Sequence, residues 1–255
     1  MRKSILITGI LTVAMIFTAC NKAKAENGDE SVASFVDEKG KAKSVNLIPS
    51  VLFYPEGSLW TEKEDGSLAW AVTLQAGQTL YVYPTKDGST SEITESQLMK
   101  REGKKDEEDY TKVRYDNKDY WVNSSLIVPN AVANITTDKG IVYNEADIAS
   151  TSSSKVKAGQ IIAVHNSDAA GDVDSNSFVK VTFRADKNYR EVYLKNEIIS
   201  DKKDDLLAIR LLPKLGTLKN KVAKAEVISN LKELNVSSFI KEQIAEQIQQ
   251  FDDNQ

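Results

Sequence analysis

Four blocks of this chain recur in the same order, and that repetition constrains the fold more than any single segment does. Leu74-Gln-Ala-Gly77-Gln-Thr-Leu-Tyr-Val82 returns as Val156-Lys-Ala-Gly159-Gln-Ile-Ile-Ala-Val164. Tyr110-Thr-Lys-Val113-Arg-Tyr115 returns as Phe178-Val-Lys-Val181-Thr-Phe183. Trp121-Val122 followed by Leu126-Ile127 is echoed by Tyr193-Leu194 followed by Ile198-Ile199, and upstream Gly57-Ser-Leu-Trp60 parallels Gly140-Ile-Val-Tyr143. Matching blocks in a fixed order are the mark of a duplicated unit. Inside the blocks, apolar residues alternate with period two, so Leu80 and Val82 go to one face of a strand while Tyr81 and Tyr83 take the other. Short alternating segments bounded by turn residues continue from about residue 46 to residue 200, the pattern of an all-β region.

The turns carry their own signals. Gly77 and Gly159 each follow an alanine where the chain must swing into an apolar strand, a place suited to glycine at positive φ. Asp116-Asn117-Lys118 reads as a tight hairpin turn, and residues 184–189 as a longer loop at the matching place. The first unit also carries an insertion, residues 89–109, rich in Glu, Lys and Asp. A surface insertion of this kind costs little in loop entropy, and Ile93, Leu98 and Met99 are placed to form one amphipathic turn within a solvated excursion.

As a set, the blocks resemble the bacterial SH3-like domain, whose pattern is a Leu-x-x-Gly-x-x-Leu-x-Val strand entry, an aromatic-x-Lys-Val strand and a Trp-Val step with an apolar residue shortly after. Tyr110 stands where that family often has Trp, and Tyr193-Leu194 replaces Trp-Val in the second unit. The resemblance implies a mainly β fold: two tandem small SH3-like β-barrels of five strands, residues 46–130 and 131–201, followed by a C-terminal helical segment, residues 202–255.

The N-terminus sets the expected compartment. Arg2 and Lys3 precede an apolar stretch, residues 5–17, and the small residues Thr18 and Ala19 lead to Cys20. These are the parts of a secretory signal, and the run is shorter than the roughly 20 apolar residues a bilayer span needs. Phe17-Thr18-Ala19-Cys20 resembles the lipobox of bacterial lipoproteins. That resemblance implies a signal peptide over residues 1–19 and lipidation of Cys20 by several acyl chains, enough for stable anchoring. The protein is then exported and lipid-anchored at the cell membrane or outer membrane. Residues 20–45 are polar and charged and read as a flexible tether. Cys20 is the sole cysteine, so no disulfide within the chain is expected.

Beyond residue 204 the apolar cluster Leu206, Leu207, Ile209, Leu211 and Leu212 is expected to end at Pro213. Thr217 then opens a helical stripe through Leu218, Val222, Ala225, Ile228, Leu231 and Leu234. Asn235 closes it, Ser237 or Ser238 caps a third helix, and Ile240, Ile244, Ile248 and Phe251 share a face there. These helices pack on the barrels or on each other, or form a handle for a partner.

Few catalytic constellations fit. A net charge of −4 argues against nucleic acid. His165 is the only histidine, which leaves no two-histidine zinc motif, and it reads as structural at a loop edge. Neither a glycine-rich phosphate loop nor a Gly-x-Ser-x-Gly turn occurs. Asp172-x-Asp174-x-Asn176 opens like a calcium loop, but Ser177 and Phe183 occupy the glycine and glutamate places. No enzyme activity, metal or cofactor is therefore expected. The remaining signal is aromatic: Trp60, Trp70, Tyr81, Tyr83, Tyr110, Tyr120 and Trp121 crowd the first unit. Tyr83, Tyr110, Tyr120 and Trp121 are the candidate ligand-binding residues, lining a groove for an extended peptide. The expected function is an envelope binding module holding peptidoglycan peptide or an envelope protein. The alternative is a structural or assembly lipoprotein whose C-terminal helices dock a protein partner.

Overall fold

The computed structural model describes residues 31–36, 42–53, 56–84, 96–166, 177–185 and 188–252. The fold is mainly β, with three helices at its C-terminal end. Two strands, β1 (Val32–Val36) and β2 (Ala42–Asn46), pair antiparallel. This corrects the expectation of an unbroken tether: Val32, Val36 and Val45 supply β propensity that the polar average of the segment hides. Cys20 and the signal lie outside the described residues. Among the described residues no helix is long and apolar enough to cross a membrane.

The first large sheet contains β3 (Ile48–Leu52), β4 (Glu56–Glu62), β5 (Leu68–Gln75), β6 (Gln78–Val82), β7 (Ser96–Lys100), β8 (Glu107–Tyr115), β9 (Lys118–Asn123) and β10 (Ile127–Pro129). Its order is β10-β3-β6-β8-β9-β4-β5, and β7 adds to β8. The second contains β11 (Ala131–Thr136), β12 (Gly140–Tyr143), β13 (Thr151–Val156), β14 (Ile161–His165), β15 (Phe178–Ala185), β16 (Asn188–Lys195) and β17 (Ile199–Ser200). Its order is β17-β11-β14-β15-β16-β12-β13. With β7 set aside, the two orders correspond strand for strand.

The correspondence extends to single hydrogen bonds. Val82 pairs with Val113 as Val164 pairs with Val181, and Trp60 with Trp121 as Tyr143 with Tyr193. The N–H of Gly77 donates to the Leu52 carbonyl and that of Gly159 to the Thr136 carbonyl, both at 2.7 Å. Both glycines have positive φ, 75° and 73°. Each sheet also carries a 3-10 turn before its last strand, at Ser124–Leu126 and Asn196–Ile198. The β8–β9 hairpin turns on Asp116 and Asn117 at φ 50° and 58°, the two-residue geometry that matches strand twist. In the second sheet the described residues of the expected long loop at 184–189 are strand, with Arg184 facing Tyr189 and Ala185 facing Asn188. Leu98 and Met99 lie in the strand β7 rather than in a helical turn, and Ile93 lies outside the described residues.

Each sheet encloses its own apolar cluster, built in the first on Leu59, Leu80, Val82, Val113 and Val122 and in the second on Val142, Ile162, Val181, Phe183 and Leu194. The sheets also touch. Val51 and Phe53 pack with Ala131 and Ala163, and the Phe53 and Tyr189 rings lie 5.1 Å apart. Only Asn130 separates β10 from β11. Its carbonyl accepts from the Asn166 N–H at 2.9 Å.

Helix α1 (Lys203–Thr217) passes through Pro213 without ending. The missing donor is tolerated because the buried stripe Ala208, Leu212 and Leu215 continues across it. Helix α2 (Lys221–Glu233) starts at Asn220, whose Oδ1 accepts from Val222 and Ala223 N–H groups. That start rotates the stripe onto Ala223, Val227 and Leu231 and leaves Val222 76 % exposed. Helix α3 (Ser238–Asp252) buries Ile240 and Ile244, and the three helices close around Ile135 of β11. The Phe251 side chain lies outside those described. Buried Asp205 ties the ends together: it accepts from the Ser200 hydroxyl at 2.6 Å and the Ser237 N–H at 2.7 Å. Helix α1 also reaches the first sheet, where the Arg210 guanidinium donates to the carbonyls of Ala76 and Gly77.

Candidate functional site

Period-two alternation gives each large sheet a core face and an outer face. On the first sheet's outer face Lys112 stands opposite Trp121, Tyr110 opposite Asn123, and Arg114 opposite Asp119. Tyr110 and Trp121 are only 1 % and 8 % exposed, in a satellite cluster with Leu68 and Met99, and Trp60 packs against it. Strand β7, paired with β8, supplies Met99 to this aromatic row. Polar ends are satisfied at its rim. The Trp121 indole donates to Glu62 at 3.2 Å and the Tyr110 hydroxyl to Glu108 at 3.1 Å. Arg101 pairs with Glu108 at 2.7 Å and lies over the Trp60 ring at 5.5 Å. Burial, with the Glu108 charge behind it, pushes the Tyr110 phenol up to about 12. Burial would raise Glu108 too, but the Tyr110 hydroxyl, the Arg101 charge and Asn123 together hold it below the usual carboxylate value.

Tyr83 lies toward the hairpin-turn end of the same face. Its hydroxyl donates to Asp119 at 2.7 Å, and Lys112 sits 5.3 Å above its ring while pairing with Asp119 at 3.3 Å. Burial first, then the Asp119 hydrogen bond and charge, push this phenol up to about 12. Tyr120 points the other way and packs against the core cluster. The four residues singled out from sequence therefore do not line one groove. Alternation sends Tyr120 and Trp121 to opposite faces, and Leu68 and Met99 bury Tyr110 and Trp121.

The second sheet carries the equivalent row without a counterpart of β7 among the described residues. Tyr143 and Phe178 meet edge-on at 4.9 Å, Tyr193 stands beside Tyr143, and the Lys195 ammonium lies 3.9 Å from the Phe178 ring centre. Phe178 and Tyr193 are half-buried where Tyr110 and Trp121 are buried, and Ile141, two residues before Tyr143 on its strand, is 49 % exposed. Lys180 pairs with Glu191 at 3.0 Å, and His165 Nε2 lies 2.9 Å from the Thr182 hydroxyl. The Lys180 hydrogen bond, working against partial burial, holds Glu191 below its ordinary value. Thus His165, Lys180 and Glu191 repeat the arrangement of Tyr83, Lys112 and Asp119. The alignment of the repeat already placed Tyr143, Phe178 and Tyr193 on Trp60, Tyr110 and Trp121, whereas nothing in the sequence singled out Ile141.

No family model matches this chain. No curated protein matches it either. Among solved structures it is similar to NlpC2 from Trichomonas vaginalis, at 12 % identity and a TM-score of 0.23, over 68 % of this chain and 56 % of that one. NlpC1 from the same organism gives the same identity and TM-score over 68 % of this chain and 53 % of that one. The chain spans little more than half the length of those proteins. The loop at Asp172, Asp174 and Asn176 lies outside the described residues.

Proposed function

We propose that this chain is a lipid-anchored, non-catalytic binding module of the bacterial cell envelope, built from two SH3-like units and held to the membrane through Cys20. In this reading the second unit, rather than the first, holds extended wall peptide or a segment of an envelope protein. The observation that carries it is the contrast between equivalent rows: Tyr110 and Trp121 are buried with Leu68 and Met99, while Phe178 and Tyr193 are only half-buried and Ile141 is exposed. Rigid aromatic side chains bring large contact area at low entropic cost, and a few such anchors carry most of a binding energy. The shared strand order, with a 3-10 turn before the last strand of each sheet, supports the SH3-like assignment.

The alternative reading, in which the C-terminal helices dock a partner, has less support. The stripe it needs, Leu218, Val222, Ala225, Ile228, Leu231 and Leu234, is not one exposed face: Leu231 is buried and Leu218, Ile228 and Leu234 are half-buried among the helices, while Val222 and Ala225 face solvent. Co-sedimentation with purified wall sacculi tests the choice. Phe178→Ala and Tyr193→Ala should each weaken capture about tenfold or more, while Trp121→Phe should leave it unchanged. Undiminished capture by folded Phe178→Ala and Tyr193→Ala proteins would refute the second-unit face.

A further inference from the structure

The hairpin-turn end of the first sheet's outer face borders a cleft of about 610 Å³, with Ala33 and Val45 of the β1–β2 hairpin on one wall. The other wall holds three cations, Lys112, Arg114 and Lys118, and one carboxylate, Asp119. Asp119 is already engaged: it pairs with Lys112 at 3.3 Å and accepts from the Tyr83 hydroxyl at 2.7 Å. Arg114 reaches the Tyr83 hydroxyl, but neither Arg114 nor Lys118 forms an ion pair with a carboxylate among the described residues. The Nε–H of Arg114 is moreover buried with no acceptor. A buried donor left unpaired costs about 1–3 kcal/mol.

The sheet itself does not require a guanidinium there. At the matching position of the second sheet stands Thr182, whose hydroxyl is paired with the His165 imidazole at 2.9 Å. The matching triple is complete without a further cation. Arg114 is thus an added charge, held at a cleft by a residue whose planar donors suit one kind of acceptor.

We propose that this cleft binds a carboxylate group of a peptide, with Arg114 as the donor fork and Lys118 as the second positive charge. The Nε–H and a neighbouring Nη–H of one guanidinium lie in the geometry that both oxygens of a carboxylate accept. A phosphate favours clustered backbone N–H groups such as those of a helix N-terminus, and the cleft walls are strands and a hairpin turn. This site is separate from the aromatic face of the second sheet and stands or falls without it.

Nitrogen-15 NMR of the mature full-length chain tests it, read at the Arg114 Nε–H resonance. The probes are acetyl-alanyl-alanine as the free acid, the same dipeptide as its amide, sodium acetate and inorganic phosphate. The free acid should shift the resonance saturably, acetate should shift it in the same direction at higher concentration, and the amide should not. Arg114→Gln should weaken binding of the free acid about tenfold or more, and Lys118→Gln severalfold, as expected for charge-assisted hydrogen bonds. Equal shifts with acid and amide, a response to phosphate alone, or no saturable response to any probe would each overturn the proposal. The wild-type titration decides the matter even where Arg114→Gln fails to fold.

Discussion

Gly77 sits where the first sheet meets α1, and an alanine there measures how firmly the two are pressed together. The residue has φ +75°, and an added Cβ would lie 3.1 Å from Leu206 Cδ1, 3.2 Å from Ile161 Cγ2 and 3.3 Å from Arg210 Nη2. Gly66, in the β4–β5 turn, is the natural control: its φ is +77° and nothing lies within 4 Å of a Cβ. Forcing alanine into left-handed backbone costs about 1–2 kcal/mol, and that is the whole expected cost of Gly66→Ala. At Gly77 the three close neighbours add an overpacking penalty of about 1–3 kcal/mol, for a total of about 2–5 kcal/mol by simple addition. Urea unfolding followed by circular dichroism reads the difference as a shift in midpoint at constant slope. Arg210→Ala removes one of the crowding groups together with its bonds to Ala76 and Gly77, so the two substitutions should couple rather than add. If Gly77→Ala costs no more than Gly66→Ala, α1 does not bear on this turn and the reasoning fails.

Asp205→Ala should cost about 2–4 kcal/mol, because it strands the Ser200 hydroxyl and the Ser237 N–H in the interior; urea unfolding checks it, and a cost near zero would show that water replaces the carboxylate. Tyr83 and Tyr110 hold their protons to about 12 in the folded chain, against 10.0 when unperturbed. Their contribution to stability is complete below pH 10.0 and is lost as pH rises toward about 12. Ultraviolet titration should show both phenols ionising late, and Tyr83→Phe should remove one of the late steps. Cys20→Ala should abolish incorporation of labelled palmitate and release the chain from membranes; a processed variant that stays bound after a salt wash would refute lipid anchoring.

What could be read without the structure was whatever a short-range pattern encodes. Alternation of apolar residues located the strands, Ala-Gly before an apolar run located both positive-φ turns, and the order of the blocks foreshadowed one strand order used twice. The misreadings share a cause, since each depended on what a distant segment covers. Pro213 looked terminal because the buried stripe that carries α1 past it is completed by α2, α3 and Ile135. Trp121 looked available because nothing in its own strand announces that Met99 will lie against it. The β1–β2 hairpin escaped notice because its few β-branched residues are diluted among charges. Arg114 gave no signal in sequence, as its interest lies in the unpaired Nε–H rather than in any neighbour along the chain.

The junction at Asn130 has a mechanical consequence. One residue spans at most about 3.6 Å, so the chain leaves one sheet and enters the next with no slack to absorb rotation. Asn130 adopts φ 47° and is gripped through its carbonyl by Asn166, which removes the remaining freedom of the bend. A pull on the N-terminal end would then reach the second sheet through this one bend and the contacts of Val51 and Phe53 with Ala131 and Ala163. In a chain moored at Cys20, the mooring would govern distance from the membrane, and this single bend would govern the compass bearing of Phe178 and Tyr193.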